Sequence, residues 1–572
     1  MNSSGLATFL GRLRRDVRGN TLAIMAAAML PLIALIGSGV DMTRAYMAEN
    51  RLRQACDAGA LAGRRLLTTT SVTSPVRDEA TKYFAFNFPQ GHFQAAPYQL
   101  AMSAPAPGTL RISTSSAIPT TIMNMFGFET LPISATCAAT QDFINTDIMM
   151  VFDLSGSMNC PVNQPNSNCN EVNQPDSKLD ALKDAARALY TTLEPAQSQL
   201  AANNLRLRYG FVNYSSGVNV GQAVYAKNST YLVNRWNYQS RIPALDDSSR
   251  SQSWCNANDG VYYLSSYRWD GRSFSAVYSC RYPHSNGDTW LYRQTQHDVG
   301  QYLAGNRPYL VSRRANSSVW EGCIEERDTN NTAIDGGSST TAPSSAYDLN
   351  VDLIPYNDAT RWRPTWPDTE FARQNALNGS LSSHYCPTAA RRLRNYHNNK
   401  ASFDSYINGL RAIGGTYHDL GMIWGARFLS PTGIFAASPA ETNDLNTPDN
   451  PVQLRGFGVK KYIIFMTDGD MSPSDTYSAY GIESLDRRVM GSNGYTSTDQ
   501  NNRHLQRFRM ACTAAKSKGM DIWVVAFATT LTQDMIDCAT KPSQAAGLND
   551  RAALIAKFQE IGSKIGSLRL SQ

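Results

Sequence analysis

The stretch that decides the fold is Asp147-Ile-Met-Met-Val-Phe-Asp-Leu-Ser-Gly-Ser-Met158. Its apolar run predicts a strand that is buried on both faces. The run ends in Asp153, Ser155 and Ser157, which stand at alternate positions on a turn leaving the strand. One carboxylate and two hydroxyls are oxygen ligands of the kind that a hard cation such as Mg²⁺ prefers. The stretch therefore predicts the first part of a cation site at the end of a central strand.

The pattern Asp-x-Ser-x-Ser after an apolar strand resembles the metal-ion-dependent adhesion site of the von Willebrand factor type A (VWA) family. The resemblance implies two further ligands, a threonine in a Gly-Thr loop before a helix and an aspartate after another strand. Gly414-Gly415-Thr416 precedes a helical pattern, and the strand-like Lys460–Thr467 ends in Asp468-Gly469-Asp470. The expected metal ligands are Asp153, Ser155, Ser157, Thr416 and Asp468. Whether Asp470 also approaches the metal stays open.

Helical and apolar strand patterns alternate around these motifs, which favours an α/β fold with a mostly parallel sheet. The VWA resemblance implies a doubly wound, Rossmann-like sheet with its ligands at the carboxyl ends of the strands. The predicted VWA domain is split into residues 143–224 and 401–572, and residues 225–400 form a large insertion.

The ligand types indicate how such a site would work. Three hydroxyls are neutral, so only Asp153 and Asp468 would neutralise a bound Mg²⁺ ion. A cation so sparsely neutralised attracts an external carboxylate, and sites of the VWA family commonly bind an acidic residue of a protein ligand in this way. Mn²⁺ and Ca²⁺ are the alternative cations. A metal that only stiffens the loops is the alternative role.

Composition argues against other classes of site. The 572 residues carry a formal net charge of only +6, without the basic excess typical of nucleic-acid binding. No Cys-x-x-Cys or His-Glu-x-x-His motif indicates a zinc site. Ten scattered cysteines suit disulfides in an oxidising compartment. They are Cys56, Cys137, Cys160, Cys169, Cys255, Cys280, Cys323, Cys386, Cys512 and Cys538.

The N-terminus predicts a membrane anchor. Residues 1–19 form a basic tail, and residues 20–40 are uncharged and apolar enough to cross a bilayer as a helix. The arginines before this run place the tail in the cytoplasm and the rest of the chain outside. A cleaved signal peptide and prepilin-type processing after Gly19 are the alternatives. Ile24 stands where a type IV prepilin normally has glutamate, so an uncleaved anchor is favoured.

Residues 41–67 continue as an extracytoplasmic helix with a face of small residues, among them Cys56, Gly59 and Gly63. This face packs either on the chain's own next domain or on another subunit. Together with Arg18-Gly19-Asn20 and Gly39-Val40-Asp41, the segment resembles the TadE/TadG-like module of tight-adherence (Tad, or Flp) pilus proteins. Cys56 departs from that pattern, which usually has alanine there.

Two further regions complete the predicted domain organisation. Residues 68–142 show β-like alternation and form a small β-containing domain after the long helix, an α+β arrangement. The insertion at 225–400 holds seven of the nine tryptophans and is rich in Tyr, Ser and Asn. That composition is typical of adaptable binding surfaces, and equally of a loop-rich domain with a small aromatic core.

The cysteines allow several pairings. Cys160 and Cys169 would close a small loop beside the metal site, and Cys137 either pairs with Cys56 or stays free. The insertion has enough cysteines for two bridges. The segment around Cys512 and Cys538 resembles the C-terminal part of TadG-type proteins, and that resemblance implies a disulfide between them; two buried free thiols are the alternative.

No catalytic residues are expected. No phosphate-binding loop or Gly-x-Ser-x-Gly elbow occurs, and a triad of Ser155 with His418 and Asp419 conflicts with the metal role of the serine. The two resemblances imply a single-pass protein of the bacterial inner membrane, mainly periplasmic or at the cell surface. Its expected partners are Tad pilus or secretion components or other envelope proteins, and no nucleic acid. The alternative function is an envelope adhesin outside any pilus machine.

Overall fold

The computed structural model describes residues 17–67, 71–106, 109–140, 144–164, 169, 172–306, 320–366, 385–475, 477–492 and 494–566. The chain divides into two compact units, and the second begins at Ile144. Most of the predicted basic tail, residues 1–16, lies outside the described residues.

The first unit begins with one long helix, α1 (Val17–Arg64), which continues through Pro31. Its N-terminal part is long and apolar enough to cross a membrane. The predicted membrane helix and the predicted extracytoplasmic helix are therefore a single element, which ends at Arg64 rather than at residue 67. The apolar side chains from Ile24 to Val40 are largely exposed, as a lipid-facing segment requires.

The small domain after α1 is an α+β structure built on that helix. Helix α2 (Ser74–Asn87) precedes an antiparallel sheet of β1 (Ala101–Ala106), β2 (Thr109–Pro119) and β3 (Thr130–Thr140), in the order β1-β2-β3. The small-residue face of α1 packs on this domain. A Cβ atom on Gly63 would lie 2.7 Å from Ala80 of α2, and Cys56 is bonded to Cys137 of β3. Close packing within the chain therefore explains why this face of α1 carries small residues.

The second unit alternates strands and helices. Its strands are β4 (Asn145–Asp153), β5 (Leu207–Tyr214), β6 (Arg235–Asp247), β7 (Val261–Trp269), β8 (Phe274–Pro283), β9 (Thr289–Asp298), β10 (Ile324–Glu325), β11 (Arg363–Pro364), β12 (Arg391–Asn395), β13 (Gln453–Leu454), β14 (Phe457–Thr467), β15 (Tyr477–Ser478), β16 (Gly481–Ile482), β17 (Asp521–Phe527) and β18 (Ala545–Leu548). Its helices are α3 (Lys178–Ala202), α4 (Gly221–Lys227), α5 (Gln252–Ala257), α6 (Val299–Leu303), α7 (Lys400–Asn408), α8 (His418–Leu429), α9 (Glu483–Asp486), α10 (Ser497–Ser517), α11 (Gln533–Cys538) and α12 (Arg551–Gly566).

The central sheet of the second unit has the order β12-β5-β4-β14-β17-β18 in the described residues, with β13 paired to β14. Strands β5, β4, β14, β17 and β18 are parallel, and β12 is an antiparallel edge strand. The edge strand Arg391–Asn395 lies inside the range 225–400 predicted as insertion, so that boundary is wrong. Three of its five side chains are arginines, and within the strand Leu393 alone is buried. A strand of this composition gives no apolar pattern in the sequence.

Helices cover both faces of this sheet, which explains why β4 is buried along its whole length. On one face, Met149 and Val151 share a core with α8 and α10. On the other face, the ring of Phe211 packs at a tilt against Phe403 of α7. Helix α8 packs very closely, because a Cβ atom on Gly421 would lie 2.3 Å from the Tyr214 ring. This close packing fixes the loop that precedes α8.

The segment between β5 and β12 is partly a separate sheet and partly an extension of the core. Strands β6 to β9 form an antiparallel sheet in the order β7-β8-β6-β9. Residues 320–366 instead dock on α8, where the buried carboxylate of Glu326 accepts hydrogen bonds from Arg427 (3.0 Å) and from the indole of Trp362 (3.2 Å). Trp320, Trp362 and Trp366 are core residues, whereas Trp269 is 55% exposed. Packing therefore explains much, but not all, of the aromatic content.

All ten cysteines are paired. The disulfides are Cys56–Cys137, Cys160–Cys169, Cys255–Cys280, Cys323–Cys386 and Cys512–Cys538. The pairing confirms the expectation of an oxidised protein, including the Cys512–Cys538 bridge implied by the resemblance.

A buried ion pair at the start of β4 gives a stability prediction. Burial raises the pKa of Asp147, but Arg208 (2.6 Å) and Lys461 (3.5 Å) lower it more, so that the pKa falls to about 2. Asp147→Asn leaves two buried cations without their anion and is expected to cost about 3–5 kcal/mol in the free energy of unfolding near pH 7. Urea unfolding of the full chain in detergent measures this cost.

The same pair predicts a pH dependence. Because the folded pKa of Asp147 lies below the unfolded value of about 3.9, its stabilisation is complete above pH 4 and is lost as the pH falls towards 2. The difference between wild type and Asp147→Asn should shrink over this range. The control is Asp176→Asn, which removes the surface ion pair between Asp176 and Arg551. The Asp176 side chain is 90% exposed, so this substitution should change the free energy of unfolding by less than about 0.5 kcal/mol. Equal effects of the two substitutions would contradict the assignment.

Candidate metal centre

Two parallel strands bring the expected ligands together. Strands β4 and β14 pair in a register that sets Phe152 opposite Met466. Asp153 ends β4, and Asp468 follows the last residue of β14. Because both strands run in the same direction, the two carboxylates leave the sheet at the same edge. Both are fully buried.

Ser155 and Ser157 turn back towards Asp468. Their Oγ atoms lie 2.9 Å apart. Ser157 Oγ donates to Asp468 Oδ1 at 3.0 Å, and Ser155 Oγ lies 3.4 Å from the same oxygen. Ser155 is extended, and residues 156–159 form a single 3₁₀ turn that follows it. Three of the expected ligands therefore converge directly.

Asp153 is held by its neighbours on the same edge. Its Oδ1 accepts the backbone N–H of Ser155 at 2.9 Å, and its Oδ2 accepts the hydroxyl of Thr467 at 2.7 Å. Burial, followed by the negative charge of Asp468, raises the pKa of Asp153. Burial also raises the pKa of Asp468. Two buried carboxylates so close together create a local demand for positive charge.

Thr416 reaches the same place from the loop before α8. The N–H of Gly156 donates to the Gly414 carbonyl at 2.8 Å, and Thr416 pairs with Ser472 across the site. Gly414 has φ of +87°, a conformation that favours glycine. A Cβ atom on Gly469 would lie 3.8 Å from both Ser157 Oγ and Thr416 Oγ1, so these hydroxyls border one small space. Asp470, by contrast, is exposed.

Lys178 is a member of the site that sequence reasoning missed. Its ammonium group is buried and donates to Asp468 Oδ2 at 3.0 Å. Lys178 is the first residue of α3, after the N-cap Ser177. A cation is unfavourable at the positive end of a helix, so a lysine directly after the N-cap serine was the available sequence signal.

The Cys160–Cys169 loop fixes where Lys178 begins its helix. The backbone N–H of Lys178 donates to the Cys160 carbonyl at 2.9 Å, and Pro161 pairs with Ser177. The disulfide therefore lies on the route that connects the serine turn to the start of α3.

The donor set fits a divalent cation. Two carboxylates and three hydroxyls from three chain segments converge, and oxygen donors of this kind suit Mg²⁺ or Mn²⁺. In the described part of the chain no group of three or more His, Cys, Asp or Glu side chains is placed to hold a metal ion, and the candidate site itself combines only two carboxylates with its hydroxyls. With both carboxylates ionised, the site carries two negative charges beside the ammonium group of Lys178.

The residues considered for a catalytic triad are engaged elsewhere. His418 Nε2 lies 3.0 Å from Thr467 Oγ1, and Asp419 pairs with His504 and Arg507. Burial lowers the pKa of His418 to about 4, so the ring is neutral near pH 7. These contacts give both residues a supporting place behind the strand ends.

Comparisons with known proteins identify only the N-terminal segment. Residues 19–65 match the family described as putative Flp pilus-assembly TadE/G-like. No curated protein matches the chain.

Among solved structures, the chain is similar to the pilus adhesin SpaC from Lactobacillus rhamnosus GG (11% identity, 82% of this chain and 34% of that one, TM-score 0.30). It is also similar to the PilB minor pilin from Streptococcus sanguinis (10% identity, 83% of this chain and 79% of that one, TM-score 0.30). A third similar structure is the vWF domain of the type V pili tip protein Mfa5 from Porphyromonas gingivalis (10% identity, 75% of this chain and 98% of that one, TM-score 0.28). The chain spans about a third of the length of SpaC. Similarity at this level does not establish a function.

The Lys178–Asp468 pair gives a prediction that needs no metal. Asp468→Asn leaves the buried ammonium without its anion, and we expect a loss of about 3–5 kcal/mol in the free energy of unfolding in EDTA. The double variant Asp468→Asn/Lys178→Met removes both charges and should recover most of that loss. Urea unfolding of the four variants in a double-mutant cycle checks this coupling. Additive effects of the two substitutions would show that the pair is not an ion pair in solution.

Proposed function

We propose that this chain is a membrane-anchored, extracytoplasmic protein of a Tad (Flp) pilus system. Its second unit would be a VWA domain that binds an acidic residue of a protein partner through a metal-dependent adhesion site. The convergence of Asp153, Ser155, Ser157, Thr416 and Asp468 carries this proposal. The TadE/G-like match at residues 19–65 supports the pilus assignment.

The membrane side follows from charge and redox chemistry. The arginines before residue 20 favour a cytoplasmic N-terminus, which directs the rest of α1 and the second unit outside. Five disulfides support an oxidising compartment, as the periplasm provides. Both arguments support the same orientation.

The residues have distinct proposed roles. Asp153 and Asp468 would supply the negative charge, and Ser155, Ser157 and Thr416 would supply neutral oxygen donors. A bound Mg²⁺ ion would supply an open coordination position for an external carboxylate. Lys178 holds Asp468 in place beside Asp153 and offsets part of their repulsion. Its ammonium also adds positive charge next to the position of a ligand carboxylate, while it weakens cation binding by like-charge repulsion.

Cation affinity of the full chain in detergent micelles tests this assignment. We expect Mn²⁺, used as an EPR probe, to bind wild type, and Mg²⁺ to compete. Asp153→Ala should abolish binding because it removes one of two anionic ligands. Lys178→Met should bind the cation roughly tenfold more tightly, since the repelling ammonium is gone. Equal binding by wild type and Asp153→Ala would refute the ligand assignment.

Chemical crosslinking in intact envelopes tests the partner. We expect wild type to crosslink to pilin or secretion components, and Asp153→Ala to lose those crosslinks while it keeps its membrane location. Recovery of unrelated surface ligands alone would exclude the pilus role. Unchanged pilus crosslinks from Asp153→Ala would mean that the metal only stiffens the loops.

A second candidate function is adhesion through the β7–β8 hairpin. Its strands expose Tyr267 (63%), Trp269 (55%) and Phe274 (70%), an apolar surface that the sheet leaves uncovered. If the chain is an adhesin outside a pilus machine, Trp269→Ala/Phe274→Ala should abolish surface adherence and leave envelope crosslinks intact. Unchanged surface adherence together with lost envelope crosslinks would favour the pilus role.

A further inference from the structure

The loop between β2 and β3 lies beside α1 at the end of its apolar run. Residues 19–40 of the helix carry no charge, and Asp41 is the first charged residue after them. Ile122 of the loop packs on Gly37, where an added Cβ atom would lie 2.3 Å from the isoleucine side chain. Gly37 precedes Asp41 by four residues, or about 6 Å along the helix axis. The loop thus reaches past the first charge into the apolar part of the helix.

Asp41 holds the loop backbone. Its buried carboxylate accepts the N–H groups of Thr121 (2.9 Å), Ile122 (3.0 Å) and Met123 (2.8 Å). Three charge-assisted hydrogen bonds from consecutive residues fix both the position and the direction of the loop.

Arg44, about one turn further along α1, holds the base of the same loop. Its guanidinium donates to the Pro119 carbonyl (3.3 Å), to Thr121 Oγ1 (3.1 Å) and to the Phe93 carbonyl (3.0 Å). The N–H of Thr120 donates to the Glu129 carbonyl at 3.0 Å and closes the loop. The loop is therefore a fixed projection from the domain along the helix.

The outer side of the loop is apolar and exposed. Residues 121–128 contain no charged side chain. Met125 is 81% exposed, Phe128 is 59% exposed and Phe126 is 37% exposed. Side chains of this kind favour the boundary between headgroups and acyl chains, where apolar groups are buried to a depth of about 5–10 Å. The loop lies at that depth if the apolar run of α1 spans the bilayer.

We propose that loop 121–128 is a second membrane contact, which enters the outer interface of the bilayer that α1 spans. This inference rests on the membrane anchoring in the proposed function. The loop and the helix together would hold the small domain directly against the lipid surface and limit its tilt relative to the bilayer.

Depth-dependent fluorescence quenching tests the contact. Because all ten native cysteines are in disulfides, a cysteine introduced by Met125→Cys or Phe128→Cys is the only free thiol and accepts an NBD label. The labelled full chain is reconstituted into phosphatidylethanolamine/phosphatidylglycerol vesicles that contain lipid spin-labelled at a shallow or a deep acyl position. Phe86→Cys is the matched control, because Phe86 is an exposed aromatic residue of α2 that lies far from the end of the apolar run. Its neighbour Phe84 packs at Gly59, which is about 27 Å along α1 from Asp41. Leu30→Cys reports on the membrane helix itself.

We expect shallow spin labels to quench NBD at 125 and 128 several-fold more strongly than NBD at 86, and deep labels to quench NBD at 30. Quenching at 30 together with equal, weak quenching at 125, 128 and 86 would overturn the loop contact and leave the anchor intact. Blue-shifted but unquenched NBD at 125 would overturn it in favour of contact with protein. Absence of quenching at 30 would refute the anchor itself, and the loop contact with it.

Discussion

The parallel pairing of β4 with β14 is the constraint on which the candidate site depends. These strands are about 300 residues apart in the chain, yet their register sets the last residues of both at one edge of the sheet. The hydroxyl of Thr467 donates to Asp153 across that pairing, at 2.7 Å. A slip of one residue would turn Asp153 to the other face of the sheet and would bury an apolar side chain in its place. The helices that bury the two faces, α8 on one and α7 on the other, therefore help to hold this register.

Electrostatics adds a second constraint to this edge. Two buried carboxylates repel each other and lose their hydration, and both effects raise the pKa of Asp153. Lys178 offsets part of this cost through Asp468. Because breaking a buried ion pair is costly, the start of α3 and the loop closed by Cys160–Cys169 are tied to the carboxylate of Asp468. The site thus links the central sheet with its first helix.

Much of this arrangement was predictable, because it depends on local patterns. The apolar run before Asp153, the Gly-Thr loop at Thr416 and the strand before Asp468 each carry their own signal, and the structure brings all three together. The arginine-rich edge strand β12 was missed, since a strand of this composition shows no apolar alternation. Lys178 was missed because its contact with Asp468 spans 290 residues of chain. The loop at residues 121–128 has an apolar pattern, but the long-range contacts of Asp41 and Arg44 that connect it with α1 leave no local signal in the sequence.

The central claim is that one divalent cation binds among these five oxygen ligands next to Lys178. The most direct measurement is anomalous diffraction from crystals of the protein grown with Mn²⁺. The account predicts a single strong anomalous peak bounded by Asp153, Ser155, Ser157, Thr416 and Asp468, next to the Lys178 ammonium. A map with no peak there at a saturating Mn²⁺ concentration would contradict it.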